Sequence, residues 1–212
     1  MTKEFLKIFD EHYNEIGIAT RDDAHDNGYW HEVFHCWLLS QEGETDYLIL
    51  QIRSAQKKDY PNLLDITAAG HLLADETIED GVREVEEELG IDVSIKQLSS
   101  VGMLRYAIET EKMKDREHAH VFLYRGLFNW DHFSLQEEEV AGLVKVKWTD
   151  FCRLWVGEQD TIPIIDRSIL DPRQSDELNT NISQANFVPH SPSFYQDVIR
   201  LIQPLLVNKG DI

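Results

Sequence analysis

Three glutamates, Glu84, Glu87 and Glu88, stand at i, i+3 and i+4 of a stretch that reads as helix, so they share one helical face. Like charges in that arrangement repel and weaken an isolated helix. A hard divalent cation removes the penalty. Mg²⁺ takes oxygen ligands, keeps several waters, and is usually shared between a few carboxylates and substrate phosphates. The chemistry on offer is therefore metal-assisted attack at phosphorus. Glutamate-rich helix faces are also common as plain solvated surface, so the three acids need support from their neighbours.

The run Arg83-Glu84-Val85-x-Glu87-Glu88-x-Gly90-Ile91, preceded by Gly70 and Glu76, resembles the Nudix box. That box is the loop–helix motif of the Nudix hydrolases, with the pattern G-x5-E-x7-R-E-U-x-E-E-x-G-U, U being aliphatic. Every fixed position from Arg83 to Ile91 matches. The resemblance implies hydrolysis of a diphosphate linkage with Mg²⁺ or Mn²⁺ as cofactor. It makes Glu87 and Glu88 the direct ligands and Glu84 a ligand or the base. A backbone carbonyl near Ala69 or Gly70 completes the metal shell, and Arg83 sits in a structural ion pair. One departure stands out: six residues separate Glu76 from Arg83, where the pattern has seven. Counting back from Arg83 puts the loop acid at Asp75; counting forward from Gly70 puts it at Glu76. Either can brace the arginine.

A longer order of motifs, LILQIRS, Lys57-Lys58, Pro61, LLDITAAGHLL and then the box, resembles a Nudix subgroup close to type I isopentenyl-diphosphate isomerase. That resemblance implies a divalent metal held by histidines and glutamates. Gly70-His71 is then the Gly-His pair, His31 one metal histidine, His25 a second, and Glu117 the first acid of a Glu-x-Glu. It also places Ala69 and Ala119 where the isomerases carry a cysteine and the second glutamate. Isomerisation by protonation and deprotonation needs a group on each side of the substrate, and alanine does neither job. The expectation is an isomerase-like frame with hydrolase chemistry. Isomerase activity and metabolite binding without turnover are the alternatives, although a pure binder need not keep three like charges together.

A lone histidine is more often satisfied by a backbone carbonyl than by a metal, and Mg²⁺ and Mn²⁺ favour carboxylate oxygen. His25, His31, His35 and His71 therefore read first as loop or core residues, with His71, beside the motif glycine, a candidate substrate contact. Glu117 lies at a strand entry opposite the box, where the resemblance implies an extra acid, and is a candidate catalytic or metal-binding residue. Arg53, Lys57 and Lys58 are candidate contacts for substrate phosphate; the lysines read equally well as solvated.

Periodicity supplies the elements that must position these residues. Phe5–Phe9 and Ile16–Thr20 read as a hairpin, and residues 21–34 as a polar connection. His35–Leu39 and Tyr47–Arg53 are strands, Ser54–Leu63 is a basic loop, and Asp65–His71 is a short strand leading into the motif. Thr77 with Asp80 carries a capping signature, Ile78, Val82, Val85 and Leu89 form a core stripe, and Gly90 closes the helix. Ser99–Ile108 and His120–Phe128 pair across a charged loop, Glu109–Glu117. Val144–Trp148 is a strand and Asp150–Glu158 a helix. Residues 159–192 read as irregular, and Ser193 caps a last helix, Phe194–Leu206, with Tyr195, Val198, Ile199, Ile202 and Leu205 as its stripe. Strands around one helix, with a terminal helix for the other face, predict an α/β fold: an α/β/α sandwich on a mixed sheet, which the resemblance also implies. The expected organisation is an N-terminal hairpin and connection (1–27), a Nudix domain (28–158) and a C-terminal helical extension packed on it (159–212).

The chain has 212 residues, which suits one core of about 150 residues with terminal additions. A net charge of −19 argues against non-specific binding of nucleic-acid polymers or anionic membranes, both of which need basic patches. It makes an anionic substrate unwelcome except where a metal reverses the local field. Cys36 and Cys152 read as small hydrophobes in a reducing compartment rather than a disulfide. The charged N-terminus and the lack of any apolar run near about 18 residues fit a cytoplasmic enzyme. Its expected partner is a small diphosphate substrate, a homodimer is compatible, and specificity falls to residues 21–34, 54–63, 109–117 and 159–212.

Overall fold

The computed structural model describes residues 3–110, 114–169 and 180–207. In chain order its elements are β1 (Phe5–Phe9), β2 (Glu15–Thr20), α1 (Arg21–Asn27), β3 (Trp30–Glu42), β4 (Thr45–Arg53), β5 (Leu64–Asp65) and β6 (Ala68–His71). Then come α2 (Arg83–Leu89), β7 (Ser99–Glu109), β8 (Lys114–Gly126), β9 (Val140–Lys147) and α3 (Trp148–Trp155). The chain closes with β10 (Ile162–Pro163), β11 (Asp166–Ile169), β12 (Asn181–Ile182) and α4 (Pro192–Val207).

The sheet is built on β3, whose residues from His31 to Ser40 are buried without a break. A strand covered on both faces reads as a continuous apolar run rather than an alternation. Val33, Trp37 and Leu39 enter one core, with α3 and α4 behind it; Phe34, Cys36 and Leu38 enter the other, with Val85 and Leu89 of α2. The result is a three-layer α/β/α arrangement. Along one edge β3 runs parallel to β8 from Trp30 to Ser40. Along its other edge it meets β1, β6 and β4 in succession, all antiparallel, so the sheet is mixed. Where β3 parts from β4, the Thr67 hydroxyl donates to the Ile49 carbonyl at 2.5 Å and accepts the Leu38 N–H at 3.0 Å. That side chain fills the fork, and it splits the single strand expected over Asp65–His71 into β5 and β6.

Several local expectations shift. The connection at 21–34 holds a helix, α1, because the Thr20 hydroxyl accepts the Asp23 N–H and Gly28 closes the end. β3 begins at Trp30 rather than His35, and most of the charged loop 109–117 is strand, with 111–113 outside the described residues. The helix expected from Thr77 opens as a 3₁₀ turn at Asp80–Val82, and Ile78 is 37 % exposed instead of in the core. The irregular 159–192 contains three short strands among its described residues. Ser191 rather than Ser193 caps α4, its hydroxyl accepting the Phe194 N–H at 3.3 Å, with Pro192 pre-set in the first helical position. Leu205 falls outside the buried stripe that Tyr195, Val198 and Ile202 form. Cys36 and Cys152 are free thiols. No helix among the described residues is long and apolar enough to cross a membrane.

Candidate active site

Helix α2 lays Val85 and Leu89 into the core, and the same turn geometry aims Glu84 and Glu88 at β6. Glu88 Oε2 accepts the Ala69 N–H at 3.1 Å and the Gln51 amide at 3.4 Å. The Glu84 carboxylate lies against Gly70, where any Cβ would collide with it; that close approach is why the position needs glycine. Glu87 stands at the lip, its side chain 54 % exposed. The three therefore differ: two are buried and one is open. Burial pushes the Glu84 carboxyl up to about 7, with Arg83 opposing. Burial and the adjacent Glu84 raise Glu88 well above the usual carboxylate range. Crowded, desolvated carboxylates whose charge is unfavourable are a donor set that a hard cation satisfies, and Glu84 and Glu88 are two such groups on the helix face that Glu87 shares.

Arg83 ties this face to the motif loop. Its guanidinium grips Glu76 through Nε at 2.5 Å and Nη2 at 3.0 Å, and donates to the His71 carbonyl at 3.0 Å. Asp75 is exposed and takes no part, so Glu76 is the loop acid and the motif is one residue short. A 3₁₀ turn advances about 2.0 Å per residue against 1.5 Å for an α-helix, so the turn at Asp80–Val82 spans the same distance with fewer residues. The loop is braced from outside as well. The Ala74 N–H donates to the Phe5 carbonyl at 2.7 Å, Leu6 bridges Leu73, and Lys7 Nζ donates to the Glu76 carbonyl at 2.8 Å.

Across Gly70 lies a second cluster. His25 from α1, His31 from β3 and His71 from β6 place their rings 5.0–5.4 Å apart. Asp115 Oδ1 is 3.3 Å from His25 Nε2 and 3.4 Å from His31 Nε2; Glu117 Oε1 is 3.9 Å from His31 Nε2. His31 Nδ1 lies 3.0 Å from the Tyr29 carbonyl. A carbonyl only accepts, so Nδ1 carries a proton, and Nε2 is turned toward Asp115 and Glu117. Among the described residues, buried His31 Nε2, His71 Nε2 and Asp115 Oδ1 meet no partner with full hydrogen-bond geometry. Burial alone would raise the Asp115 carboxyl, but His25 and His31 outweigh it and hold it well below the usual range. Burial and the neighbouring His31 hold His71 well below its ordinary value. Within each of two overlapping triads, His25–His31–His71 and His31–Asp115–Glu117, the ligand atoms lie within 4.8 Å of one another. This mixed imidazole and carboxylate set suits a transition ion better than Mg²⁺. The four histidines are thus not scattered loop and core residues: three of them converge.

A cavity of about 730 Å³ joins the two clusters. Arg53 lines it but is committed to Asp65 at 2.7 Å and to the Asp59 carbonyl. Lys57 also lines it and is paired with Glu139, whereas Lys58 is exposed and outside the lining. Glu117 lies inside, hydrogen-bonded by the Tyr106 hydroxyl, and burial followed by the Asp115 charge raises its carboxyl. Asp115 was hidden in the sequence by the loop assigned to 109–117. Extending β8 upstream exposes the signal, since residues two apart on a strand share a face. The acid paired with Glu117 is therefore Asp115 upstream, while Ala119 is fully buried in the core. Tyr106 and His190 also line the cavity without any local motif to announce them.

The NUDIX domain family model matches residues 29–170. An uncharacterized Nudix hydrolase of Clostridium acetobutylicum is 36 % identical over 202 residues, which cover 95 % of this chain and 98 % of that protein. Isopentenyl-diphosphate Delta-isomerase 2 of Photorhabdus laumondii is 30 % identical over 155 residues, covering 71 % and 80 %. The crystal structure of a MutT/nudix family protein from Enterococcus faecalis superposes with a TM-score of 0.54 at 10 % identity, covering 82 % of this chain and 61 % of that one, a likeness of fold.

Proposed function

The chain belongs to the Nudix hydrolase family, and from that premise we propose that it hydrolyses the diphosphate linkage of a nucleotide-type or other small diphosphate compound with Mg²⁺ or Mn²⁺. The observation that carries this reading is the buried Glu84–Glu88 pair pressed on Ala69 and Gly70, with Glu87 at the lip of the same cavity. When bound there, the ion supplies Lewis-acid polarisation of a phosphate oxygen and a lowered pKa for coordinated water. Glu87 and Glu88 hold it, and Glu84 either holds it or accepts the proton of the attacking water. Gln51 and the Ala69 N–H fix the Glu88 carboxylate in place. Arg83 orients Glu84 at 2.5 Å while anchoring the loop through Glu76.

A second reading, isomerisation, is favoured by one observation: Asp115 and Glu117 form a paired acid beside three histidines, and an isomerase is among the relatives. Against it, Ala69 lines the cavity where the resemblance expects a cysteine, so the group for one side of the substrate is missing. The test is phosphate release across a panel of diphosphate compounds, isopentenyl diphosphate included, with Mg²⁺ or Mn²⁺ and with the Glu87→Gln variant beside the wild type. Metal-dependent turnover that falls by orders of magnitude in Glu87→Gln is the expected result. Near-normal rate in the variant would sink the assignment, and double-bond migration without phosphate release would favour the isomerase.

A further inference from the structure

One wall of the cavity carries the box carboxylates; another is made of rings, and part of it comes from beyond the family span. Val188 and His190 reach it from the segment before α4. The His190 side chain is 6 % exposed, lies nearly flat on Phe194 with 4.2 Å between centroids, and meets Tyr106 edge-on at 4.9 Å. Its Nε2 is 3.9 Å from Asp65 Oδ1, and Asp65 is itself clamped by Arg53 at 2.7 Å. The imidazole is therefore held in place, yet its buried Nδ1 has no hydrogen-bond partner among the described residues. His35, 3.4 Å from the Tyr106 hydroxyl, leaves its own Nδ1 in the same condition. Unpartnered buried polar atoms are uncommon in native proteins. A fixed imidazole on a cavity wall is a means of reading a polar group on a ligand.

Resting on the hydrolase reading, we propose that this wall is a subsite for the group esterified to the diphosphate, and that His190 is its specificity-determining residue. The group it takes is compact, uncharged, and bears a hydroxyl or carbonyl oxygen. It is compact because Phe194 covers one face of His190 and packs beside Tyr106 with 4.6 Å between centroids, which narrows this wall. It is uncharged because Asp65 beside His190 is already paired with Arg53, and the Glu117 carboxyl is engaged by the Tyr106 hydroxyl. It carries oxygen because the orphan imidazole nitrogens need a partner.

Isopentenyl diphosphate, a five-carbon diphosphate with one added hydroxyl, and ADP-ribose serve as probes. In the wild type the hydroxylated compound should exceed its plain counterpart in kcat/KM by about tenfold. That ratio should fall toward one in His190→Leu and survive in His190→Gln. An unchanged ratio in His190→Leu, or ADP-ribose as the best substrate, overturns the subsite. If no probe is turned over, the hydrolase reading fails, and the subsite is judged separately by binding. Wild-type protein with ¹⁵N-labelled histidine is titrated with the hydroxylated diphosphate and Mg²⁺. Movement of the His190 ring resonances, assigned by their loss in His190→Gln, supports it; no movement overturns it.

Discussion

Without metal, the crowded glutamates should make stability fall as pH rises, and Glu84 lets the size be worked out. Its carboxyl titrates at about 7 in the folded protein against an ordinary 4.5. The folded state then holds the proton more tightly than the unfolded chain. This group's contribution is fully present below pH 4.5 and is lost as pH rises through 7. The whole loss is about 3 kcal/mol, and about 2 kcal/mol of it falls between pH 5.5 and 8.5. For a chain of this size that is roughly 4–8 °C in Tm. Glu88 shifts in the same direction and adds to it. Buried His35 and His118, held at about 3 and about 4, act in the opposite sense below their ordinary 6.5, so the wild type alone is not decisive. Thermal melts of wild type and Glu84→Gln in EDTA at both pH values cancel the histidines. The wild type should lose more Tm on going to high pH than the variant, by the amount above. Mg²⁺, which binds the deprotonated carboxylates, should raise Tm more at the higher pH. Equal pH dependence in the two proteins, or equal Mg²⁺ shifts at both pH values, would refute the assignment of strain to this helix face.

Three further outcomes follow from the same geometry. Gly70→Ala drives a Cβ into the Glu84 carboxylate, so it should destabilise by about 1–3 kcal/mol and weaken the Mg²⁺-induced Tm shift; an unaltered shift would deny the close approach. Glu76→Gln should destabilise by about 1–3 kcal/mol through the loss of the Arg83 grip, while Asp75→Asn stays within about 0.5 kcal/mol. Equal effects in denaturant titrations would mean that the loop acid is misassigned. His71→Asn should weaken Mn²⁺ binding, followed by electron paramagnetic resonance, by at least about tenfold; unchanged affinity would remove His71 from the second cluster.

The helix face was legible because its signal is local: Glu84, Glu88, Val85 and Leu89 are set by helical spacing within a single turn or two. Gly90 was readable for the same reason, since its φ of 70° is what a helix end asks of glycine. What escaped depends on distant partners. Glu76 was separable from Asp75 only once Arg83 could be seen to reach it. Asp115 lay in charged sequence with no apolar alternation, because its strand side chains face a polar cavity. α1 was missed since seven residues form too short a window for periodicity, and it is tertiary packing of Ala24 and His25 that holds it. Lys57 and Arg53 looked available for phosphate; their acidic partners, Glu139 and Asp65, are separated from them in sequence.

The backing of the motif loop by β1 has a bearing on how the protein acquires its structure. The Lys7 bond to the Glu76 carbonyl closes a span of 69 residues, whereas the backbone hydrogen bonds of α2 each close a single turn. Contacts of such separation carry a loop-closure entropy cost that short-range contacts do not. A chain started at residue 29, where the family match begins, would keep every glutamate of the helix, yet it would lack His25 and leave the Ala74 N–H without the Phe5 carbonyl. The span matched by the family thus omits contacts that hold the motif loop and complete the histidine cluster in this structure.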